Sequence, residues 1–261
     1  MKPNGANISL TSYDDIFSTE ENRNQPPGEQ IKQVQLSKLF PFKDHPFSVT
    51  DDKKMMDMVE SVKEFGVMIP IIARPLDGGG YEIVSGHRRK RACELAGIET
   101  IPVLIRNLDN DEATILMVDS NLQQRDEIPP TERGRAYQMK LEALKHQGKR
   151  HDLTSDQVGQ KSERKTSRDL IAENSPDSSS QIQRYLRLNE LNQDLLKMVD
   201  EGKIAMRPAV ELSYLPENEQ TTLHEMMELE DCTPSHAQAI KMRRFAEEGK
   251  LSEDVILSIM Q

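Results

Sequence analysis

Apolar positions between residues 31 and 106 change period several times. Val34 and Leu36 alternate with polar neighbours, as in a short strand. From Asp52 to Phe65 the spacing lengthens. Met55, Met58, Val59, Val62 and Phe65 share one helical face, and Gly66 ends the helix. Ile69 to Ala73 is a continuous apolar run, the pattern of a buried strand. Asp77-Gly78-Gly79-Gly80 is a hairpin-type turn, and Tyr81 to Val84 returns as a strand. A helix over Arg88 to Ala96 stops at Gly97, and Ile101 to Ile105 is a further strand. These elements make one compact α/β unit.

From Asp111 onward only helical periods occur. The pattern predicts helices over 112–122 and 131–146, then a polar, basic stretch from Gly148 to Lys165. Shorter helices follow near 167–173, 178–189, 192–201, 207–214, 217–229, 234–248 and 252–260, with Thr233-Pro234 as a helix start. Pro129-Pro130 marks the hinge between the two parts. Residues 1–30 are polar and aperiodic, and read as a disordered tail. The stretch from Ile8 to Phe17 could fold on a partner, although a plain flexible tail is the simpler reading. The expected class is α+β. The expected units are a tail (1–30), an α/β domain (31–128), a helical domain (129–248) and a C-terminal helix (249–261).

Composition sharpens this picture. A chain of 261 residues is comfortable for two domains. Eleven aromatic residues, none of them Trp, favour a Leu/Ile/Met-packed helical chain over an aromatic-rich β-sandwich. The net charge of −10 first argues against a polyanionic partner. It is unevenly spread, however. Residues 133–168 hold ten bases and four acids, a local +6, whereas residues 190–261 carry −8 and the tail −3. Screening at physiological salt acts over about 8 Å, so a polyanion responds mainly to the local patch. Cys93 and Cys232 match no metal spacing and form no disulfide framework, which fits a reducing cytoplasm. No apolar run approaches the ~20 residues of a membrane span, and no signal peptide is visible.

Two constellations carry chemistry. In the first, Val84-Ser85-Gly86-His87-Arg88-Arg89-Lys90-Arg91 passes from strand through glycine into helix. The free N–H groups of a first helical turn and its partial positive charge suit a phosphate. Cations at a helix N-terminus oppose the macrodipole, so stability alone does not account for them. A solvated basic turn is the competing reading. Asn121 and Arg125, at the end of the next helix, can bond a phosphate, and Asn121 can offer a carbonyl to a metal.

The second constellation is a helix-turn-helix. Thr166-Ser167-Arg168-Asp169 fits a capping box, Asn174 to Asp177 a turn, and Ser178-Ser179-Ser180-Gln181 a second capping box. On the second helix Ile182, Tyr185 and Leu186 keep one face. Thr166, Ser167, Ser178, Ser179 and Ser180 suit phosphate contacts, and Gln181, Gln183, Arg184 and Arg187 suit base edges. A structural helix pair in a bundle is the alternative. The adjacent basic run favours DNA.

In order and spacing these segments resemble the ParB partition-protein family, from about residue 31 to about 245. Glu64-Phe65-Gly66-Val67-Met68-Ile69-Pro70-Ile71 is similar to its E-x-G-V-x-Q-P-I stretch. Gly86 to Arg91 is similar to its G-E-R-R-x-R box, and Ser120 to Arg125 to its E-N-x-Q-R stretch. Ala172 to Leu188 resembles its helix-turn-helix, with Pro176 at the turn glycine. The resemblance implies a ParB/sulfiredoxin-like α/β domain binding CTP with Mg²⁺ through Gly66, Val67, Gly86, His87, Arg88, Arg89, Arg91, Asn121 and Arg125, with Asn121 toward the metal. It implies a homodimeric clamp on a centromere-like double-stranded DNA site of a plasmid, mobile element or chromosome. A ParA-type ATPase would be the partner, through the N-terminal tail. Family members carry a separate dimerisation domain, for which little length remains before Gln261.

Departures qualify these expectations. Ile69 replaces Gln, His87 replaces Glu, and Gln124 is one extra residue before Arg125. Ser120 replaces a Glu and is a poor Mg²⁺ ligand, which predicts weak or no CTP turnover. Sulfiredoxin's reactive Cys has no counterpart, because Gly86 occupies that position. A nucleotide-independent transcriptional regulator, or a kinase or nuclease on the same α/β fold, are the alternatives.

Overall fold

The computed structural model describes residues 30–125, 127–154 and 167–261. Among them a five-stranded mixed sheet has the order β1-β5-β3-β4-β2. Its strands are β1 (Gln30–Gln35), β2 (Leu39–Phe40), β3 (Ile71–Pro75), β4 (Tyr81–Ser85) and β5 (Thr100–Ile105). β1 pairs β5 antiparallel, with Ile31 opposite Leu104, and β3 pairs β4 antiparallel with a register shift between Ile72 and Ala73. The β3–β5 and β2–β4 pairs are parallel.

Strand alternation gives the sheet two buried faces. Ile71, Ala73 and Ile83 pack under α1 (Lys53–Phe65) and α2 (His87–Ala96), against Met55, Val59, Val62, Ala92 and Cys93. Val84 and Ile72 face the opposite way, toward α3 (Asn110–Gln124) and α4 (Pro130–Thr154). That second cluster includes Met117, Leu122, Ile128 and Tyr137, and reaches Ile171 of α5 (Ser167–Glu173) and Ile182 of α6 (Ser179–Leu188). One core therefore runs across the Pro129 junction.

A third cluster closes the C-terminal bundle. It is built by α7 (Gln193–Asp200), α8 (Met206–Leu212), α9 (Glu217–Glu230), α10 (His236–Glu247) and α11 (Glu253–Met260), and it holds Leu188, Leu195, Val199, Ile204, Leu212 and Leu223. The helical cores use aliphatic residues and Met, as the composition implies. The architecture is the expected α+β.

Several local expectations shift. β3 begins at Ile71, because the Ile69 and Pro70 carbonyls accept from Arg89 rather than from a strand. Phe65 is exposed although it ends the apolar face of α1. α4 continues to Thr154, past the predicted end at His146. Residues 147–154 contain no proline and a single glycine, and Gln147, Lys149, Arg150 and Leu153 favour a helix, so the polarity of this segment did not mean a loop. Ser235, not Thr233, caps α10, in a box with Gln238. Cys93 and Cys232 are free thiols. Among the described residues no helix is long and apolar enough to cross a membrane. Residues 1–29 of the expected tail, Thr166 and residues 155–165 of the basic stretch lie outside the described residues, and Gln30 already belongs to β1.

Candidate functional site

Gly86 turns β4 into α2 with φ of 109°. A Cβ there would lie 3.0 Å from Ile71 Cγ1 and 3.1 Å from Arg89 Cζ, so both backbone angle and space require glycine. The N-terminal turn of α2 opens on a cleft of about 810 Å³. Gly86, His87, Arg88, Arg89, Asn121 and Arg125 line it. The two segments singled out for phosphate chemistry thus converge on one cavity, of a size that admits a nucleotide.

Each of those side chains is positioned by a specific partner. Arg88 Nη2 donates to Asp52 Oδ1 at 2.8 Å, and Asp52 also caps α1 through the Met55 N–H. That N–H bond, together with Arg88, holds the Asp52 carboxyl below its ordinary value. Arg89 spans to the carbonyls of Ile69 and Pro70, and burial lowers its guanidinium pKa. His87 Nε2 accepts the Phe42 N–H at 3.2 Å, and its ring lies 3.9 Å from the His45 ring. Burial, then His45, Arg125 and Lys90, push the His87 pKa down to about 3, so the imidazole is neutral. Arg125 Nη1 donates to Ser48 O at 3.1 Å, and its guanidinium lies over the Phe47 ring. Asn121 Nδ2 donates to Met117 O at 2.8 Å, which leaves Oδ1 as the group for a ligand.

Three candidate residues lie off the cleft. Gly66 caps the C-terminus of α1 at φ of 69°, and Val67 packs beside the core under that helix. Arg91 turns to Asp51 at 2.6 Å and to Glu94 at 3.4 Å. In exchange, Lys54, Glu132 and Arg133, which no motif names, line the cleft, as does Tyr185, which the sequence places only on the apolar face of the helix-turn-helix. Arg133 had been counted only as one charge of a basic run. Among the described residues, buried Arg88 Nε, Arg133 Nε and Glu132 Oε2 have no hydrogen-bond partner. Polar atoms in that state are costly unless something occupies them. The unpartnered arginine donors and the α2 N-terminus fit a polyphosphate. No group of three or more His, Cys, Asp or Glu that could hold a metal occurs among the described residues. A metal here would depend on Asn121 Oδ1 and on phosphate oxygens.

The helix-turn-helix also forms. α6 is capped by Ser178, whose Oγ accepts the Gln181 N–H while Gln181 Oε1 accepts the Ser178 N–H. These two side chains are therefore engaged in folding the helix. Ser179 Oγ donates to Asp169 Oδ1 at 3.0 Å and fastens α6 to α5. Arg187 is committed as well: Nε donates to Ser213 Oγ, Nη2 to Ser213 O, and the guanidinium stacks 4.0 Å from the Tyr214 ring. Ser180, Gln183 and Arg184 are exposed and line a groove with Arg168. Among the described residues Gln183 and Arg184 have no structural partner, so they are available to a ligand. The Ser167 backbone opens α5, and Thr166 lies outside the described residues.

The turn before α6 is pinned from behind. Asp177 is buried; Tyr137 Oη donates to its Oδ2 at 2.6 Å and Arg133 Nη1 at 3.0 Å. Burial and that carboxylate push the Tyr137 hydroxyl pKa up. Breaking such a buried pair by removing one partner costs about 3–5 kcal/mol.

A mixed-sheet unit with a basic, glycine-led helix N-terminus, joined through a shared core to a helix-turn-helix, defines a class: a two-part protein with a basic cleft beside a helix-turn-helix. The family model of the ParB N-terminal domain matches residues 20–122. The chain is 30% identical over 217 residues to the "Probable chromosome 1-partitioning protein ParB" of Deinococcus radiodurans, covering 83% of this chain and 67% of the relative. It is 28% identical over 210 residues to a nucleoid occlusion protein of Geobacillus thermodenitrificans, covering 78% of this chain and 67% of that protein. The chain belongs to the ParB partition-protein family. It is also similar to the crystal structure of C-terminally truncated ParB from Caulobacter crescentus complexed to the centromeric parS site. There the identity is 20% and the TM-score 0.49, over 83% of this chain and 99% of that one.

Proposed function

We propose that this protein is a DNA-binding partition factor that recognises a specific duplex site through α6 and binds CTP in the cleft at the N-terminus of α2. The observation that carries the DNA reading is the division of labour on α6. Ser178, Gln181 and Ile182 build the helix, while Ser180, Gln183 and Arg184 face outward with no structural task. Family membership supplies the biological setting: segregation of a chromosome, plasmid or mobile element. Gly86, Arg88, Asn121 and Arg125 hold the triphosphate in this reading, Asn121 Oδ1 would be the side-chain oxygen offered to Mg²⁺, and Gly66, Val67 and Arg91 act from outside the cavity wall. A CTP-gated homodimeric clamp, a cytoplasmic, DNA-associated location and a ParA-type ATPase partner complete the proposal.

The DNA part is tested by selecting duplexes from a random-sequence library and measuring affinity for the enriched site. An enriched site is expected, with Arg184→Ala binding it at least about fivefold more weakly, the cost of one lost base contact. Failure to enrich any sequence, or full affinity in the folded variant, overturns the assignment.

A further inference from the structure

One wall of the cleft comes from outside the α/β unit. Arg133, on the first turn of α4, and Tyr185, on α6, both line it. The Arg133 side chain is only 15% exposed and that of Asp177 only 7%. Arg133 Nη1 reaches both Asp177 carboxylate oxygens, at 3.2 and 3.0 Å, and its guanidinium carbon lies 5.3 Å from the Tyr185 ring centroid. Nη1 also lies 3.4 Å from the Tyr185 hydroxyl. All the bonds of this guanidinium to the helix-turn-helix thus use one nitrogen. Nε is buried and, among the described residues, without a partner.

We propose that Arg133 is an anion-binding residue of the cleft, its guanidinium shared between a bound phosphate group and Asp177 in the helix-turn-helix turn. The proposal rests on the cleft being the nucleotide site. A guanidinium offers parallel N–H pairs that match two oxygens of one phosphate. Nη1 serves Asp177, and among the described residues neither Nε nor Nη2 makes a hydrogen bond, which leaves that edge for the phosphate. An occupied edge also satisfies the buried Nε, whose isolation is otherwise a standing cost. Asp177 and the phosphate then draw on a single positive charge. A filled cleft loosens the hold on the turn, and a firmly held turn weakens the cleft's hold on its anion. Linkage makes the two effects equal as affinity factors. None of the motifs that carry the family resemblance includes Arg133, so the resemblance does not imply this role.

A purely structural clamp and a shared ligand differ in sign. In the shared arrangement Asp177 competes for Arg133, so neutralising it frees the cation for the cleft. The test is isothermal titration of the full chain with CTP and, separately, with inorganic tripolyphosphate. The proteins are the wild type, Arg133→Gln, Arg133→Lys and Asp177→Asn, each checked for folding by circular dichroism. Arg133→Gln is expected to weaken both ligands about tenfold, the value of one charge-assisted hydrogen bond, and Arg133→Lys to recover part of that loss. Asp177→Asn is expected to tighten both ligands severalfold. Unchanged affinity in folded Arg133→Gln overturns the proposal, as does unchanged or weakened affinity in folded Asp177→Asn. If Asp177→Asn does not fold, the Gln and Lys pair decides. A wild type that binds neither ligand removes the nucleotide site itself, and the role of Arg133 with it.

Discussion

His87 opens α2 as a neutral imidazole whose Nε2 already accepts the Phe42 N–H. Protonating that nitrogen breaks the bond and places a charge beside Arg125 and Lys90. Its folded pKa of about 3 lies below the 6.5 of an unfolded histidine. Between those values the unfolded chain binds more protons, so stability rises with pH through this window and is lost as pH falls from 6.5. The size is roughly 2 kcal/mol between pH 7 and pH 5. Urea unfolding at the two values checks this, with His87→Gln expected to show a flatter dependence. Equal slopes in both proteins contradict the assignment. At this scale the glycine-led basic turn was legible in the sequence, because Gly86, Arg88 and Asn121 carry local signals of backbone freedom, charge and helix position. The fates of Arg89 and Arg91 were not. Their partners, Ile69 and Pro70 carbonyls and the Asp51 carboxylate, lie 19 to 40 residues away.

Helices α4 and α6 meet at Gly134. A Cβ there would lie 2.6 Å from Tyr185 O and 3.0 Å from Asn189 Oδ1, and Asn189 Nδ2 donates to Gly134 O at 3.1 Å. Gly134 therefore sets how closely the second helix of the helix-turn-helix approaches α4. Gly134→Ala must push the helices apart and is expected to cost about 1–3 kcal/mol of stability by denaturant unfolding. It should also weaken DNA binding, because α6 is displaced. An unaffected variant contradicts the close approach. The elements themselves were legible from hydrophobic period and caps, down to the Ser178 box that starts α6. Two things escaped. Polarity alone hid the last turns of α4, and Thr233-Pro234 masked the true cap at Ser235.

At the scale of the molecule, the cleft and the helix-turn-helix share a wall. The core that holds Val84 and Met117 also holds Ile171 and Ile182, and Asp200 of α7 accepts from the Thr131 backbone at the start of α4. α4 is thus the beam between sheet, helix-turn-helix and C-terminal bundle. Its opening residue Pro130 looked in the sequence like a hinge, yet proline also fits the first turn of a rigid helix. Charge follows the same logic: the net −10 belongs to the whole chain, whereas the groove beside α6 is lined by Arg168, Arg184 and Arg187. The central claim is that the cleft takes a nucleotide and that DNA occupancy affects it. Titrating the full chain with each nucleoside triphosphate and Mg²⁺, with and without the enriched duplex, tests it most directly. Saturable binding of CTP below millimolar concentration, with an affinity that changes when the duplex is present, is the expected result. No binding of any nucleoside triphosphate at millimolar concentration, with or without DNA, would contradict it.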